Sequence, residues 1–196
     1  MGKFRRATRH ICMFQYRKDA NRFYRAMSQR LKKFNLQIAP DKTRIIKFNR
    51  WNTQRFQFLG FEFYWGKSRK GKGLIKVRTS GKRMRSAFKS INIWCKANRD
   101  KELKWIFYEL NRKLIGHYNY YGVRGNYERL KDYQIRVEKI LKKWLNRRSQ
   151  KGRMNWQRYR DVVNTFKLAK PRIRYGPDKR NGLDNIQLGF HGSEYS

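Results

Sequence analysis

Residues 103–127, LKWIFYELNRKLIGHYNYYGVRGNY, constrain the fold of this chain more than any other stretch. Leu103, Ile106, Phe107, Leu110, Leu114, Tyr118 and Tyr121 recur at helical spacing and predict one apolar face of an amphipathic helix. The composition then changes. Residues 116–127 hold three glycines, four tyrosines, two asparagines, a histidine and an arginine. Gly122 closes the helix, since glycine is common just past a helix end. Residues 123–125 turn the chain, and Asn126 can cap a second helix. The corner admits two readings: a tyrosine-rich core inside a helical hairpin, or a surface that offers rings and amides to nucleic acid. Aromatic rows at helical spacing are usually core. That places Tyr118 and Tyr121 inside, by their spacing from Leu114, and leaves Tyr120 as the more exposed ring.

Charge is the second constraint. The 196 residues allow one domain or two small ones, and they carry 51 Lys and Arg against 13 Asp and Glu, a formal charge of +38. Self-repulsion makes that excess costly to a compact state, so its use lies in a polyanionic partner. Aromatics make up 16% of residues, which separates the chain from a disordered basic tail lacking core formers. Cys12 and Cys95 stand far apart, without Cys-x-x-Cys or Cys/His spacing, which argues against a zinc site or a disulfide framework. No apolar run is long enough to span a bilayer, and no apolar signal segment follows the basic start. A reducing compartment, the bacterial cytoplasm or an organelle, is the expected location, with no membrane and no secretion.

Taken in order, residues 1–9 are basic and patternless, and residues 10–16, with Ile11, Met13 and Phe14, read as a strand. Residues 17–34 read as a helix with Ala20, Phe23, Tyr24, Met27, Leu31 and Phe34 on one face, ended by Asn35. Residues 36–38 are extended, Pro40 bars a helix, and residues 44–48, with Ile45, Ile46 and Phe48, read as a second strand. Residues 56–65, FQFLGFEFYW, form either a hairpin or one strand bent at Gly60. A basic loop, KSRKGK at 67–72, leads to a returning strand at 74–77. Thr79 or Ser80 caps a helix to about Asn98, with Met84, Phe88, Ile91, Trp94 and Cys95 on its apolar face. The helix from Asn126 runs to about Arg148, with Leu130, Tyr133, Val137, Ile140, Leu141, Trp144 and Leu145 inward. Trp156, Tyr159, Val163 and Phe166 mark a last helix ended by Pro171, beyond which core formers are few and the chain is expected to be mobile or laid on a partner. The class is α+β, strand-rich to about Val77 and helical after it.

On the helix from Asn126, Arg136, Lys139, Lys143, Arg147 and Gln150 recur on the face away from Val137, Leu141 and Trp144, broadened by Lys142, Asn146, Arg148, Lys151 and Arg153. Charge runs are commonly solvated surface. Here almost no acids are interleaved to pair with the cations, and a basic stripe backed by aromatics is the footprint of nucleic-acid binding.

Several of these stretches resemble one family, the reverse transcriptase/maturase encoded within group II introns. The resemblance covers residues 11–175: a helix, short strand and Lys-Thr pair at Lys42 and Thr43; the Phe-Leu-Gly-Phe run at 58–61; GHYNYYGVRGNY at 116–127; KWLNRRSQKG at 143–152; NWQRY from Asn155; and PRIRY from Pro171. It implies a truncated palm remnant with a primer-grip-like hairpin over 1–78. A helical thumb, the maturase-specific domain X, would follow over 79–170, then a basic, flexible tail over 171–196.

The departures from the family pattern matter equally. Its polymerase turn, Tyr-Ala-Asp-Asp, would precede Ile11, where this chain reads Arg6, Ala7, Thr8, Arg9. Both carboxylates are missing, and nucleotide transfer needs paired Mg²⁺ ions held by such groups. Asp19, Asp41 and Glu62 share no motif. Read one nucleotide out of frame, Ala7 to Arg9 can restore the start of the lost turn, an expectation the coding DNA decides. No catalytic or metal-binding residue is assigned, and no cofactor is expected, Mg²⁺ entering only if a separate fingers/palm chain completes the site. The resemblance therefore implies an RNA-binding maturase-type domain that assists folding and splicing of structured intron RNA, without polymerase activity of its own. The alternative is the C-terminal piece of a split or frame-disrupted RNA-directed DNA polymerase, with DNA or an RNA–DNA hybrid as further partners, or a non-functional remnant. A weaker reading is a general nucleic-acid-coating protein. The RNA-binding candidates are Lys67, Arg69, Lys70 and Lys72 on the basic loop; Arg136, Lys139, Lys143, Arg147, Arg148, Lys151 and Arg153 on and after the second helix; and Tyr120 and Arg124 at the corner. The pure chain, given primer, RNA template and Mg²⁺, should extend nothing; template-dependent cDNA would contradict this.

Overall fold

The computed structural model describes residues 10–49, 51, 54–148 and 154–174. It is an α+β structure of five helices and one three-stranded antiparallel sheet among those residues. The chain divides into two compact units, Met1–Asn49 and Arg50–Ser196.

The first unit holds helix α1, Arg17–Lys32, and a single 3₁₀ turn, Pro40–Lys42. The helix ends as its sequence predicts: Asn35 takes φ 56°, a left-handed conformation that Asn tolerates better than most residues. Its apolar face, however, buries nothing fully. Ala20, Tyr24, Met27 and Leu31 are half-buried, while Phe23 and Phe14 pack on each other at 5.1 Å and both stay exposed. The two expected strands, at 10–16 and 44–48, do not form. A strand exists only beside another, and no described residue of this unit is in a strand.

In the second unit, residues 56–67 resolve the choice between hairpin and bent strand. β1, Phe56–Phe58, pairs with β2, Phe61–Lys67, around a two-residue turn. Leu59 at φ 48° and Gly60 at φ 85° are both left-handed, the pattern whose twist matches that of the flanking strands. Phe56 stacks on its cross-strand partner Phe63 at 5.1 Å. β3, Gly73–Thr79, completes the sheet in the order β1-β2-β3. It then runs into α2, Gly81–Ala97, with no loop: Thr79 is the last strand residue, and Ser80 is the helix cap, its hydroxyl accepting from the Arg83 N–H.

The helices form as the periodicity predicts. α3, Leu103–Tyr121, and α4, Tyr127–Leu145, make the helical hairpin. α2 lies along α4 in the same direction, as the successive pairs Thr79–Asn126, Phe88–Tyr133 and Asn92–Trp144 show. The core is Met84, Ile91 and Cys95 of α2, Ile106, Phe107, Leu110, Leu114 and Tyr118 of α3, and Leu130, Tyr133, Val137, Leu141, Trp144 and Leu145 of α4. α5, Trp156–Phe166, covers one side of it with Tyr159, whose hydroxyl donates to the Glu138 carbonyl at 3.1 Å. α5 stops at Phe166, five residues before Pro171. Lys167 turns at φ 49°, and Asn111 clamps the exit by donating to the Lys167 carbonyl and accepting from the Ala169 N–H. Arg174 N–H donates to the Gly122 carbonyl at 2.7 Å, so the described start of the tail lies on the α3–α4 corner. The rest of the tail, and Ala7 to Arg9, lie outside the described residues. No described helix is long and apolar enough to cross a membrane.

Two corner residues occupy their predicted places for unpredicted reasons. Gly122 ends α3 at φ −76°, not in the left-handed region. Glycine is needed there because a Cβ would collide with the Tyr118 and Arg172 carbonyls. Asn126 sits at the cap position of α4, yet its side chain caps no N–H of that helix. Fully buried, it instead accepts from the Thr79 N–H at 2.8 Å and donates to the Thr79 hydroxyl and the Tyr121 carbonyl, each at 2.8 Å. Asn126→Leu keeps the branched shape without the polar atoms and strands the buried Thr79 N–H and hydroxyl, while the Tyr121 carbonyl keeps the Val123 N–H. At ~1–3 kcal/mol per unsatisfied group, partly relieved by relaxation, it should destabilise the chain by about 3 kcal/mol in urea unfolding. A loss below about 1 kcal/mol would contradict that role for Asn126.

Candidate nucleic-acid interface

α4 carries its core and its cations on opposite faces. Val137, Leu141 and Trp144 point inward, and Arg136, Lys139 and Lys143 point out and are exposed, as are Arg147 and Arg148 just past the helix end. From Arg136 to Lys143 the row spans roughly 10 Å of helix axis, and Arg147 continues it past the helix end. Its side chains lie over aromatic rings. The Arg136 guanidinium sits 5.6 Å from the centre of Phe88, the Lys143 ammonium 5.3 Å from Trp144, and the Arg147 guanidinium 5.0 Å from the same indole. Trp144 is itself pinned, since its Nε1–H donates to Asn92 Oδ1 at 2.9 Å. Stems laid on fixed rings lose less freedom when their charged heads meet a partner. Lys142, beside the row, caps the ring of Trp156 at 3.9 Å.

Among the described residues the ion pairs are Arg78–Glu62, Arg112–Glu109 and Arg129–Asp132, and none includes a member of this row. The acid nearest to it in sequence, Glu138, accepts from the Gln134 side chain. The row is therefore uncompensated cation, as the sequence implies. Lys151 and Arg153 lie outside the described residues.

The basic loop forms a second patch. Lys67, Arg69, Lys70 and Lys72 are all exposed at the β2–β3 turn. Ser68 organises it: its N–H donates to the Lys72 carbonyl, its carbonyl accepts from Gly71 N–H, and its hydroxyl accepts from Lys72 N–H. Gly71 supplies φ 77°. The loop begins six residues along β3 from Thr79, roughly 20 Å. The row on α4 starts ten residues along the helix from Asn126, roughly 15 Å. The two patches are thus carried by different elements that meet at the Thr79–Asn126 contact. Arg124 is exposed in the α3–α4 turn.

The tyrosines of the corner divide. Tyr118 is buried at right angles to Tyr133, and burial raises its phenol above the usual range. Tyr121 is half-buried, edge-on to Phe61 at 5.2 Å. Tyr120 is 52% exposed. Its ring lies parallel to Phe61, with centroids 6.1 Å apart, and its hydroxyl donates to the Leu59 carbonyl at 3.0 Å. Tyr120 borders an open groove of about 510 Å³ between the Leu59–Gly60 turn, α2 and α3. Arg83, Lys113 and His117 line it too, and sequence reasoning missed all three. Their signal was present as Arg83, Ala87 and Ser90 on α2 facing Lys113, Gly116 and Tyr120 on α3, two helical rows of small, basic and aromatic residues. In a chain with 51 Lys and Arg, two more cations do not stand out. Burial pushes the His117 imidazole down to about 4, so it is neutral at pH 7 and adds no charge.

Cys12 is exposed and Cys95 buried, both as free thiols, and burial raises Cys95 to about 12. Among the described residues no group of three His, Cys, Asp or Glu side chains could hold a metal ion. Comparison with known family models, curated proteins and solved structures finds no match.

Proposed function

We propose that this chain binds structured RNA as a maturase-type domain, similar to the C-terminal part of a group II intron reverse transcriptase/maturase, and assists folding and splicing of intron RNA without polymerising. The observation that carries the reading is the row Arg136, Lys139, Lys143 and Arg147. It is exposed, without ion-pair partners among the described residues, and backed by pinned aromatics. Such a row neutralises phosphates and gains affinity from the counterions they release. The resemblance supports the family, with the Phe58 to Phe61 run at the tip of a hairpin and a helical bundle after it, read as primer-grip remnant and thumb.

One observation favours a second reading, the piece of a split polymerase completed by a fingers/palm chain. In the first unit Ile11, Met13, Phe14, Phe23 and Phe34 all remain exposed, an apolar side that a further sheet would bury. A primer-extension assay with a candidate fingers/palm chain present tests that reading, and continued inactivity would count against it.

The RNA reading is tested by Lys139→Gln, Lys143→Gln and Arg147→Gln together. These side chains are exposed, and Lys143 and Arg147 touch only the outer face of Trp144, so the melting temperature should fall by no more than about 5 °C, the shift expected for 1–2 kcal/mol. Affinity for structured RNA should fall. The slope of log K against log salt should shrink by roughly 0.7–0.9 for each phosphate contact removed. An unchanged slope in a folded variant removes α4 from the RNA-binding surface.

A further inference from the structure

The groove bordered by Tyr120 contains a residue that the fold does not explain. Gly116 lies inside α3, on the wall of the groove. Glycine in a helix interior is destabilising relative to a residue with a side chain. At Gly60 and Gly122 a close neighbour forbids a Cβ, whereas at Gly116 no heavy atom comes within 4 Å of one. Nothing in the described chain requires the missing side chain there. What a side chain would do is fill the groove.

The rim of the groove has a definite chemistry. Arg83 and Lys113 line it, no carboxylate does, and neither cation has an ion pair among the described residues. Tyr120 presents a ring already fixed at both ends, by its hydroxyl on Leu59 and its face beside Phe61. A fixed ring loses no rotamer freedom when a second ring stacks on it. The volume of about 510 Å³ falls in the range that receives a small organic ligand.

We infer that this groove takes one unpaired nucleotide of a single-stranded RNA segment, its base on Tyr120 and its flanking phosphates on Arg83 and Lys113. A base inside a duplex has no free face to offer, whereas a base in a loop or bulge does. The inference rests on the RNA-binding reading and adds to it a second site, separate from the α4 row, that selects unpaired over paired RNA.

The test uses the full chain, a short oligouridine and a blunt, fully paired RNA duplex in fluorescence anisotropy, comparing the natural protein with Gly116→Leu. Leucine improves the helix, so the melting temperature should stay level or rise. Affinity for oligouridine should fall about tenfold or more, the order of one lost base–aromatic stack, while affinity for the duplex holds within about twofold. Should Gly116→Leu fold poorly, Arg83→Gln with Lys113→Gln serves instead, with the same loss expected on the single strand alone. Unchanged oligouridine binding, or an equal loss on both RNAs, overturns the inference. A natural protein that binds the duplex but not oligouridine overturns it while leaving the RNA-binding reading intact. One that binds neither RNA fails both.

Discussion

Thr79 and Asn126 lie 47 residues apart in the chain and are joined by two of the three side-chain hydrogen bonds of Asn126, in a site from which water is excluded. Much of the second unit hangs on this contact. Thr79 is the last residue of the sheet and is followed directly by the cap of α2. Asn126 stands at the start of α4 and also holds the end of α3 through the Tyr121 carbonyl. One buried amide thereby sets the origin of two helices and the end of a strand. Its cost if broken is high, because the Thr79 N–H and hydroxyl are buried polar groups with no water to turn to.

That fixed origin orients both candidate RNA surfaces. A chain with so large a cationic excess gains little stability from surface ion pairs, and the described residues hold few. Order comes instead from apolar and aromatic burial between α2, α3 and α4. The cations of α4 are laid on rings that belong to this packing, so that Phe88 and Trp144 serve the core on one side and the basic row on the other. Tyr120 repeats the pattern, with its edge anchored to the hairpin tip and its ring still open to solvent.

The helices were legible in the sequence because periodicity reports a local property. Leu110, Leu114 and Tyr118 on α3, and Val137, Leu141 and Trp144 on α4, are buried where spacing alone put them. The strands expected at 10–16 and 44–48 do not form, because a strand depends on what lies beside it, which a residue's own β-propensity does not report. Asn126 and Gly122 were placed correctly and explained wrongly. Local rules know caps and helix ends, but not a strand 47 residues earlier or a tail segment arriving at the corner. The α4 row was readable, since it needs only helical spacing. The Arg83, Lys113 and Tyr120 groove was not, since two helices and a turn must come together to make it.

Native-state hydrogen exchange tests most directly whether the Thr79–Asn126 contact makes the sheet and the helices one unit. The Thr79 amide donates to Asn126, and the Leu141 amide lies in the C-terminal half of α4, on a buried residue. If the contact couples them, both amides exchange only through the same global opening, with equal free energies and equal dependence on denaturant. A Thr79 amide that exchanges through a smaller, separate opening while Leu141 stays protected would show that the hairpin moves independently, and would contradict the account.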